Sequence, residues 1–229
     1  MDKITVNIAS IPDRAQMLKT VVASLYNQCD ELNLMLNGYT APPEWVAFFD
    51  KRKLHTYLLD NSLGDGAKFL HADEGYILTC DDDLAYPSDY AARMCIAARD
   101  YNGITSLHGK KIIDLPMTLY HGKKHLQGYR CIGYVAEDVQ VDIPGTGVMC
   151  YHTDRFKPDL TRFERRNMAD VWIAIQAREQ QVPIIVLAHE LDYLTYLNPK
   201  GTIWEANCTN EEMDAFMCLQ LNKVFHAGG

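Results

Sequence analysis

Residues 76–83 have the sequence YILTCDDD, in which a short apolar run is followed at once by three aspartates. The run Tyr76–Cys80 predicts a buried strand, and the aspartates are then expected at its carboxyl end. Since side chains alternate along a strand, two of the three carboxylates should point the same way, where they repel each other unless a cation neutralises them. Hard carboxylate oxygens suit Mg²⁺ or Mn²⁺. The segment therefore predicts a metal that holds a phosphorylated substrate, with a solvated acidic turn as the alternative.

The first hundred residues alternate between strand and helix patterns. Apolar runs predict strands at residues 4–9, 32–36 and 54–59, and apolar residues at helical spacing predict helices that end near residues 26 and 101. Asp13 is expected to cap the first of these helices. This alternation predicts the α/β class, with a mainly parallel central sheet flanked by helices.

The second half of the chain has a different pattern. Residues 108–147 are rich in Gly, Lys and Tyr and predict hairpins and loops. The lysine pairs 110–111 and 123–124 are expected to be solvated, with contact to an anionic acceptor as the alternative. Further elements are expected as strands at 148–151 and 184–188 and a helix at 169–180. Thr209 and Glu212 fit a capping box for a final helix that ends near residue 225. Because no segment resembles a flexible linker, a single domain over residues 1–229 is favoured.

Composition and charge narrow the class of function. The chain has 229 residues, of which 48% are hydrophobic, and this is enough to bury a substantial core. A net charge of −8 disfavours binding to an extended nucleic acid. The sequence has no pattern of a signal peptide or a membrane span, and its seven cysteines lack CxxC or zinc spacing. These features predict a cytoplasmic protein with reduced thiols.

Several polar segments are expected at the carboxyl edge of the predicted sheet, where open α/β sheets bind their ligands. They are Ser10 to Arg14, Asn37-Gly38, Asp60 to Lys68 and the three aspartates. Arg14 and Lys68 are candidate contacts for a phosphate or nucleotide, with a surface ion pair and a solvated helix residue as the respective alternatives. Asp60 is a candidate contact for a base or ribose, and a turn-forming role is an equal alternative.

Four motifs together resemble the GT-A fold nucleotide-sugar glycosyltransferases, specifically the family 2-like, DXD-containing members. Ile77-Leu78-Thr79-Cys80-Asp81-Asp82-Asp83 resembles the DXD motif, and Asp65-Gly66-Ala67-Lys68-Phe69 resembles the segment that precedes it. Gly145-Thr146-Gly147-Val148 resembles the acceptor-side strand, and Met168-Ala169-Asp170-Val171-Trp172 resembles the later acidic motif. The resemblance spans roughly residues 3 to 190. The chain departs from the family at Asn37-Gly38, where many members carry an Asp pair, and at Lys68, where Arg is more usual.

The resemblance implies a single GT-A-like, Rossmann-like domain. Residues 1–103 would form the nucleotide-sugar-binding half, and residues 104–229 the acceptor-binding half with the C-terminal helix. The implied activity is metal-dependent transfer of a hexosyl-type sugar from a nucleotide diphospho-sugar, with a UDP-sugar favoured, to a saccharide or other hydroxyl acceptor. A nucleic acid acceptor is disfavoured by the acidic balance of the chain.

The resemblance also implies roles for individual residues. Mn²⁺ or Mg²⁺ would be held by Asp83, with Asp81 and His189 as further ligands. The nucleotide would be contacted by Ser10, Arg14, Asn37, Asp60, Lys68, Asp81 and Asp82. Asp170 would be the catalytic base of an inverting transfer, with stabilisation of a helix N-terminus as the alternative. For His189 the alternative is a hydrogen-bonded histidine at the rim of the sheet.

Three other functions compete with this one. An aspartate-nucleophile phosphohydrolase also places acids after a strand, although that class usually carries them on its first strand. A sugar nucleotidyltransferase would need a Gly-rich basic loop after the first strand, where residues 9–14 supply only an arginine. A catalytically inactive GT-A binding module would be indicated by loss of the acids, and both acidic motifs are present.

Overall fold

The computed structural model describes residues 2–122, 124–198 and 200–226. Its strands, in chain order, are β1 Ile4–Ser10, β2 Glu31–Asn37, β3 Leu54–Leu59, β4 Tyr76–Cys80, β5 Leu84–Ala85, β6 Ile104–Ser106, β7 Gly109–Ile112, β8 Leu126–Tyr129, β9 Val139–Val141, β10 Ile143–Pro144, β11 Val148–His152, β12 Ile184–Val186 and β13 Thr195–Tyr196. Its α-helices are α1 Ala15–Leu25, α2 Tyr90–Asp100, α3 Ala169–Glu179, α4 Ile203–Cys208 and α5 Glu211–Phe225.

Eight strands form the central sheet in the order β3-β2-β1-β4-β11-β6-β12-β9. The first four strands are parallel to one another, and β12 is parallel to β6. Strand β11 runs antiparallel to both β4 and β6. The predicted α/β class with a mainly parallel sheet is therefore confirmed. Because β1, β2 and β4 run in the same direction, the residues that follow Ser10, Asn37 and Cys80 meet at one edge of the sheet.

The helices cover both faces of this sheet. Helix α1 buries Leu18, Val21, Val22 and Leu25, whose spacing of three and four residues places them on one face. Helix α3 is buried on nearly all sides, since α5 packs against it. Each fully buried aliphatic side chain of this kind contributes about 1.5 to 3 kcal/mol.

Two predicted helix caps are wrong. Asp13 lies inside a 3-10 turn, Pro12–Arg14, that precedes α1, and α1 has no side-chain cap. Thr209 and Glu212 do not form a capping box, because α5 begins one residue later than Thr209 would require and is capped by Asn210. The box is instead formed by Thr202 and Glu205, at the start of the unpredicted helix α4.

Two small sheets stand beside the central one. Strand β7 pairs antiparallel with β8 and with β10, which confirms the predicted hairpins between residues 108 and 147. Strands β5 and β13 form a two-stranded sheet directly after the aspartates. All seven cysteines are free, and five are buried. No helix in the described ranges is both long and apolar enough to cross a membrane.

Candidate active site

The three aspartates directly follow β4 and contact two basic side chains. Arg14 Nη1 lies 2.7 Å from Asp82 Oδ1 and 3.4 Å from Asp83 Oδ2. Lys68 Nζ lies 2.6 Å from Asp81 Oδ1. Lys68 and Asp82 are buried, whereas the Asp81 side chain is 44% exposed. The structure thus brings five of the predicted site residues into one cluster at the carboxyl edge of the sheet.

The aspartates do not continue the strand, because residues 82 and 83 form a turn. Strand alternation therefore does not set their directions, and Asp82 and Asp83 share Arg14 instead of pointing to opposite faces. The turn is held by backbone bonds: Asp81 N donates to Gly147 O, and Leu197 N donates to Asp83 O.

The cluster has an excess of negative charge, since its three carboxylates are paired with only two cations. Burial, together with the charges of Asp81 and Asp82, raises the pKa of Asp83 to about 7. Burial also raises the pKa of Asp82, although Arg14 opposes it. Burial lowers the pKa of Lys68, but Asp81 and Asp65 outweigh this effect and raise it. An additional cation beside Asp83 would neutralise the excess negative charge.

Asp83 and Asp81 are the candidate ligands of the divalent cation that the sequence predicts. Asp83 and Asp81 offer hard oxygen ligands, and Mg²⁺ usually takes only one or two carboxylates and completes its shell with water and phosphate. Within the described part of the chain, no group of three or more His, Cys, Asp or Glu side chains could hold a metal ion. The residues present therefore suit an ion that shares its coordination with a phosphorylated ligand.

Residues 145–147 connect the aspartate cluster to Asp170. Gly147 lies directly against the Asp81 carboxylate, so that a side chain at this position would overlap it. Thr146, between the two glycines, is itself fixed because Thr79 Oγ1 donates to Thr146 O at 2.6 Å. The glycine thus permits a close approach that any Cβ would prevent.

Asp170 lies in the first turn of α3. Its Oδ1 accepts bonds from the backbone N of Thr146 at 2.8 Å and from the Thr146 hydroxyl at 2.7 Å. Among the described residues Oδ2 has no hydrogen-bond partner. Asp170 therefore presents one fixed and one free carboxylate oxygen, which is an arrangement that allows it to accept a proton.

Asp65 is a residue of this site that the sequence did not single out. Its Oδ2 accepts a bond of 3.1 Å from Ala169 N, at the start of α3, and so links the segment that carries Lys68 to the helix that carries Asp170. Burial raises the pKa of Asp65 to about 6, and Asp170 adds to this while Lys68 opposes it. Asp65 belongs to the resembled segment 65–69, but no sequence signal distinguishes a helix-binding carboxylate from a solvated one.

Two residues at the ends of the first two strands are buried at the same edge. Ser10 Oγ lies 3.4 Å from the hydroxyl of Tyr39. Burial raises the pKa of the neighbouring Asp82, and Arg14 and the Ser10 hydroxyl oppose this effect. Asn37 donates to Gly64 O at 2.9 Å, and its Oδ1 has no partner in the described structure. Both side chains are therefore available beside the cluster, and their nucleotide contacts stay predictions.

Asp60 and His189 make contacts that match their alternative interpretations. Asp60 is exposed, and its Oδ1 accepts a bond from Ser62 N at 2.9 Å, as in a turn. His189 is buried, and its two ring nitrogens lie 2.7 Å from Leu187 O and 3.1 Å from Arg130 O. Ligation of a metal by His189 would require one of these contacts to break. Roles for both residues in binding stay predictions.

The three-stranded sheet β10-β7-β8 carries a further basic group, Lys110, on the side of Asp170. Lys110 is half-buried, with Nζ 3.8 Å from the centre of the Tyr120 ring, so the predicted solvated loop is wrong at this position. Lys111 and Lys124 are exposed as expected, and Lys123 lies outside the described residues. Burial lowers the pKa of Lys110, although the charge of Asp170 opposes this.

Comparisons with known proteins show the fold. No protein-family model and no curated protein matches the sequence. Among solved structures, residues 1–349 of TarS from S. aureus in complex with UDP-GlcNAc are 12% identical to this chain with a TM-score of 0.57, over 97% of this chain and 67% of that 1–349 fragment. The 4-diphosphocytidyl-2C-methyl-D-erythritol synthase from Anaerococcus prevotii is 13% identical with a TM-score of 0.54, over 90% and 96% of the two chains. The chain therefore has a GT-A-like α/β fold.

Proposed function

We propose that the chain is a nucleotide-sugar-dependent glycosyltransferase of the hexosyltransferase type. The observation that carries this proposal is the arrangement around residues 145–147. Asp81, paired with Lys68, lies against one end of this segment, and Asp170 is bonded to its middle residue. A site for a metal-bound diphosphate and a candidate base therefore adjoin each other at the edge where α/β sheets bind ligands.

The donor would be a nucleotide diphospho-sugar bound by residues 1–103. Arg14 and Lys68 are the candidate partners of its phosphates, and Ser10, Asn37 and Asp60 are candidates for its nucleoside. A UDP-sugar is favoured because the similar fold of TarS is seen in complex with UDP-GlcNAc. Residues 104–229 would then bind a saccharide or another hydroxyl acceptor.

Mn²⁺ or Mg²⁺ would be held by Asp83 and Asp81, with His189 as a further candidate ligand. When bound, such an ion supplies positive charge that stabilises the departing diphosphate. Arg14 and Lys68 add positive charge to the same place, because both already lie within 3.4 Å of these carboxylates.

Asp170 would act as the base. Its free Oδ2 accepts the proton of the acceptor hydroxyl as the hydroxyl oxygen forms a bond to the anomeric carbon. The bond between that carbon and the diphosphate oxygen breaks at the same time, and its electron pair leaves with the diphosphate. Attack from the face opposite the leaving group inverts the anomeric configuration.

Release of UDP from UDP-GlcNAc, in the presence and absence of Mn²⁺, tests the proposal. We expect UDP release to need Mn²⁺, to be lost in Asp83→Asn, and to fall at least a hundredfold in Asp170→Asn while UDP binding is kept. Asp154→Asn is the matched control, because Asp154 is 89% exposed and follows β11 at the opposite edge of the sheet. Equal activity of Asp83→Asn and Asp154→Asn would refute the metal site.

A sugar nucleotidyltransferase is the second candidate, since the Anaerococcus prevotii synthase has a similar fold. The two activities release different products. A nucleotidyltransferase supplied with UTP and a sugar phosphate releases pyrophosphate, whereas a glycosyltransferase supplied with UDP-GlcNAc releases UDP. Pyrophosphate release without any turnover of nucleotide sugars would favour the second candidate.

A further inference from the structure

We propose that His108 and Lys110 bind a negatively charged group, a phosphate or a carboxylate, on the hydroxyl acceptor. This inference rests on the proposed function and adds the chemical class of the acceptor to it. It depends on where these two side chains lie, on the absence of acidic partners for them, and on their position relative to Asp170.

His108 lies next to the segment that holds Asp170. Gly145 N donates to His108 O at 2.7 Å, which extends the pairing of β7 with β10 by one residue. A Cβ on Gly145 would lie 2.6 Å from His108 Cβ, so the imidazole packs over this glycine. The following residue, Thr146, is the one that donates two bonds to Asp170. The packing partner of His108 and that of the base are therefore adjacent in the chain.

Lys110 follows two residues later, on β7. Its Nζ lies 3.8 Å from the centre of the Tyr120 ring, which shields one side of the ammonium group. Tyr120 is itself fixed, because its backbone N donates to Asp214 Oδ2 at 2.8 Å. The ammonium group is thus held in one place and is not a freely moving surface charge.

Neither basic group has an acidic partner. Over residues 2–122, 124–198 and 200–226, no carboxylate lies within 4.0 Å of a nitrogen of His108 or Lys110. Arg14 and Lys68, in contrast, have carboxylates at 2.7 and 2.6 Å. The partly buried ammonium group of Lys110 is unfavourable without a partner, and it is unexpected in a chain with a net charge of −8. Burial lowers the pKa of His108, whose ring can donate a hydrogen bond to the same ligand. A ligand anion would supply the missing charge.

The position of this pair favours the acceptor over the donor. The donor diphosphate is proposed to lie at Arg14, Lys68 and the aspartates, where the basic groups are already paired. His108 instead packs on Gly145, next to the Thr146 that binds Asp170, and Lys110 follows two residues later. Burial lowers the pKa of both groups, and the charge of Asp170 opposes this effect. An acceptor with its hydroxyl at Asp170 can therefore place a nearby phosphate or carboxylate between His108 and Lys110.

Binding of small model acceptors to the full-length chain, loaded with UDP and Mn²⁺, tests the inference. Glycerol 3-phosphate, glycerate and glycerol present the same hydroxyls with a phosphate, a carboxylate or no charge. By isothermal titration calorimetry, we expect one of the two anions to bind at least tenfold more tightly than glycerol, and the tighter one identifies the charged group. Equal affinity for all three compounds would overturn the inference.

Lys110→Met should weaken binding of the preferred anion at least tenfold. Lys111→Met is the matched control, because Lys111 is the next residue in the chain and is exposed, and it should bind like the wild type. If Lys110→Met does not fold, His108→Gln provides the same comparison. Equal anion binding by the Lys110 and Lys111 variants would contradict the assignment.

Titration with UDP and Mn²⁺ alone separates this inference from the proposed function. Lys110→Met should bind UDP as tightly as the wild type. A tenfold loss of UDP binding in this variant would show that His108 and Lys110 belong to the donor site. That result would overturn the inference and leave the proposed function intact. Failure of the wild type to bind UDP would overturn the proposed function, and with it the acceptor site.

Discussion

Gly147 lies so close to the carboxylate of Asp81 that no side chain fits between them. The two residues are also joined through their backbones, because Asp81 N donates to Gly147 O at 2.9 Å. Gly147, the residue before β11, thereby positions the first aspartate of the cluster, whose Oδ1 is bound by Lys68. This contact explains in physical terms why a glycine occupies the third position of Gly145-Thr146-Gly147.

Gly147→Ala should therefore displace the Asp81 carboxylate and break its ion pair with Lys68. We expect UDP binding in the presence of Mn²⁺ to weaken at least tenfold. The free energy of unfolding should also fall, by about 3 kcal/mol, because the buried Lys68 loses its carboxylate partner. Calorimetric titration and urea denaturation measure the two effects. Gly128→Ala is the control, since a Cβ there meets nothing within 4 Å and should alter neither quantity.

Arg14 stabilises two carboxylates that would otherwise be buried without a partner. Arg14→Met should lower the free energy of unfolding at pH 7.5 by about 3 kcal/mol, because it leaves the buried Asp82 charged and unpaired. The loss should be smaller at pH 4, where protonation removes the charge that Arg14 neutralises. Urea denaturation at both pH values checks this.

Arg52→Met is the matched control for Arg14→Met. Arg52 pairs with Asp50 at the same distance of 2.7 Å, but its side chain is 91% exposed. This variant should show no measurable change at either pH, since exposed ion pairs contribute little. If the Arg14 and Arg52 variants lose equal stability, burial is not what gives the Arg14 pair its importance.

The sequence predicted where the candidate site lies in the fold, but not which of its side chains pair with each other. Ser10, Arg14, Asn37 and Lys68 could be assigned to one edge because parallel strands that alternate with helices bring their carboxyl ends together. The pairing of Arg14 with Asp82 joins residues that are 68 positions apart, and no local pattern encodes such a contact.

Burial explains the residues that sequence reasoning placed wrongly. Lys110 and Lys111 are adjacent lysines in the same segment, and only their alternation on β7 makes the first half-buried and the second exposed. That alternation depends on the pairing of β7 with β8 and β10, and both of these strands lie later in the chain. Thr209 also fits the capping pattern of α5, but this helix begins at Glu211, so Asn210 is its N-cap.

Asp65 should make stability depend on pH between about 4 and 6. Its pKa in the folded chain is about 6, above its ordinary value, so the folded state binds the proton more tightly than the unfolded state. The contribution of Asp65 is therefore full below its unfolded pKa and is lost as the pH rises through 6. Asp65→Asn should be more stable than the wild type by about 3 kcal/mol at pH 7.5 and not at pH 4.

Urea denaturation of wild type and Asp65→Asn across this range measures the difference, from which the titration of all other groups cancels. Asn can still accept the bond from Ala169 N, so the substitution changes mainly the charge. Asp60→Asn is a suitable control, because Asp60 is exposed in its turn and its pKa is lowered. A constant difference between wild type and Asp65→Asn from pH 4 to 7.5 would contradict the assignment.

Asp214 connects helix α5 to the loop that carries Tyr120. Its carboxylate accepts bonds of 2.8 Å from the backbone N of Tyr120, the backbone N of His121 and the His121 ring. Burial raises the pKa of Asp214, but these bonds outweigh burial and lower it, so its contribution to stability is lost as the pH falls through this lowered value.

Asp214→Ala should lower the free energy of unfolding by about 2 kcal/mol at pH 7.5, because it leaves buried N–H groups without an acceptor. The variant should also accelerate hydrogen exchange at Tyr120 and His121, whereas Glu212→Ala, at a side chain that is 82% exposed, should leave both amides protected. Unchanged exchange in Asp214→Ala would show that α5 does not hold this loop in place.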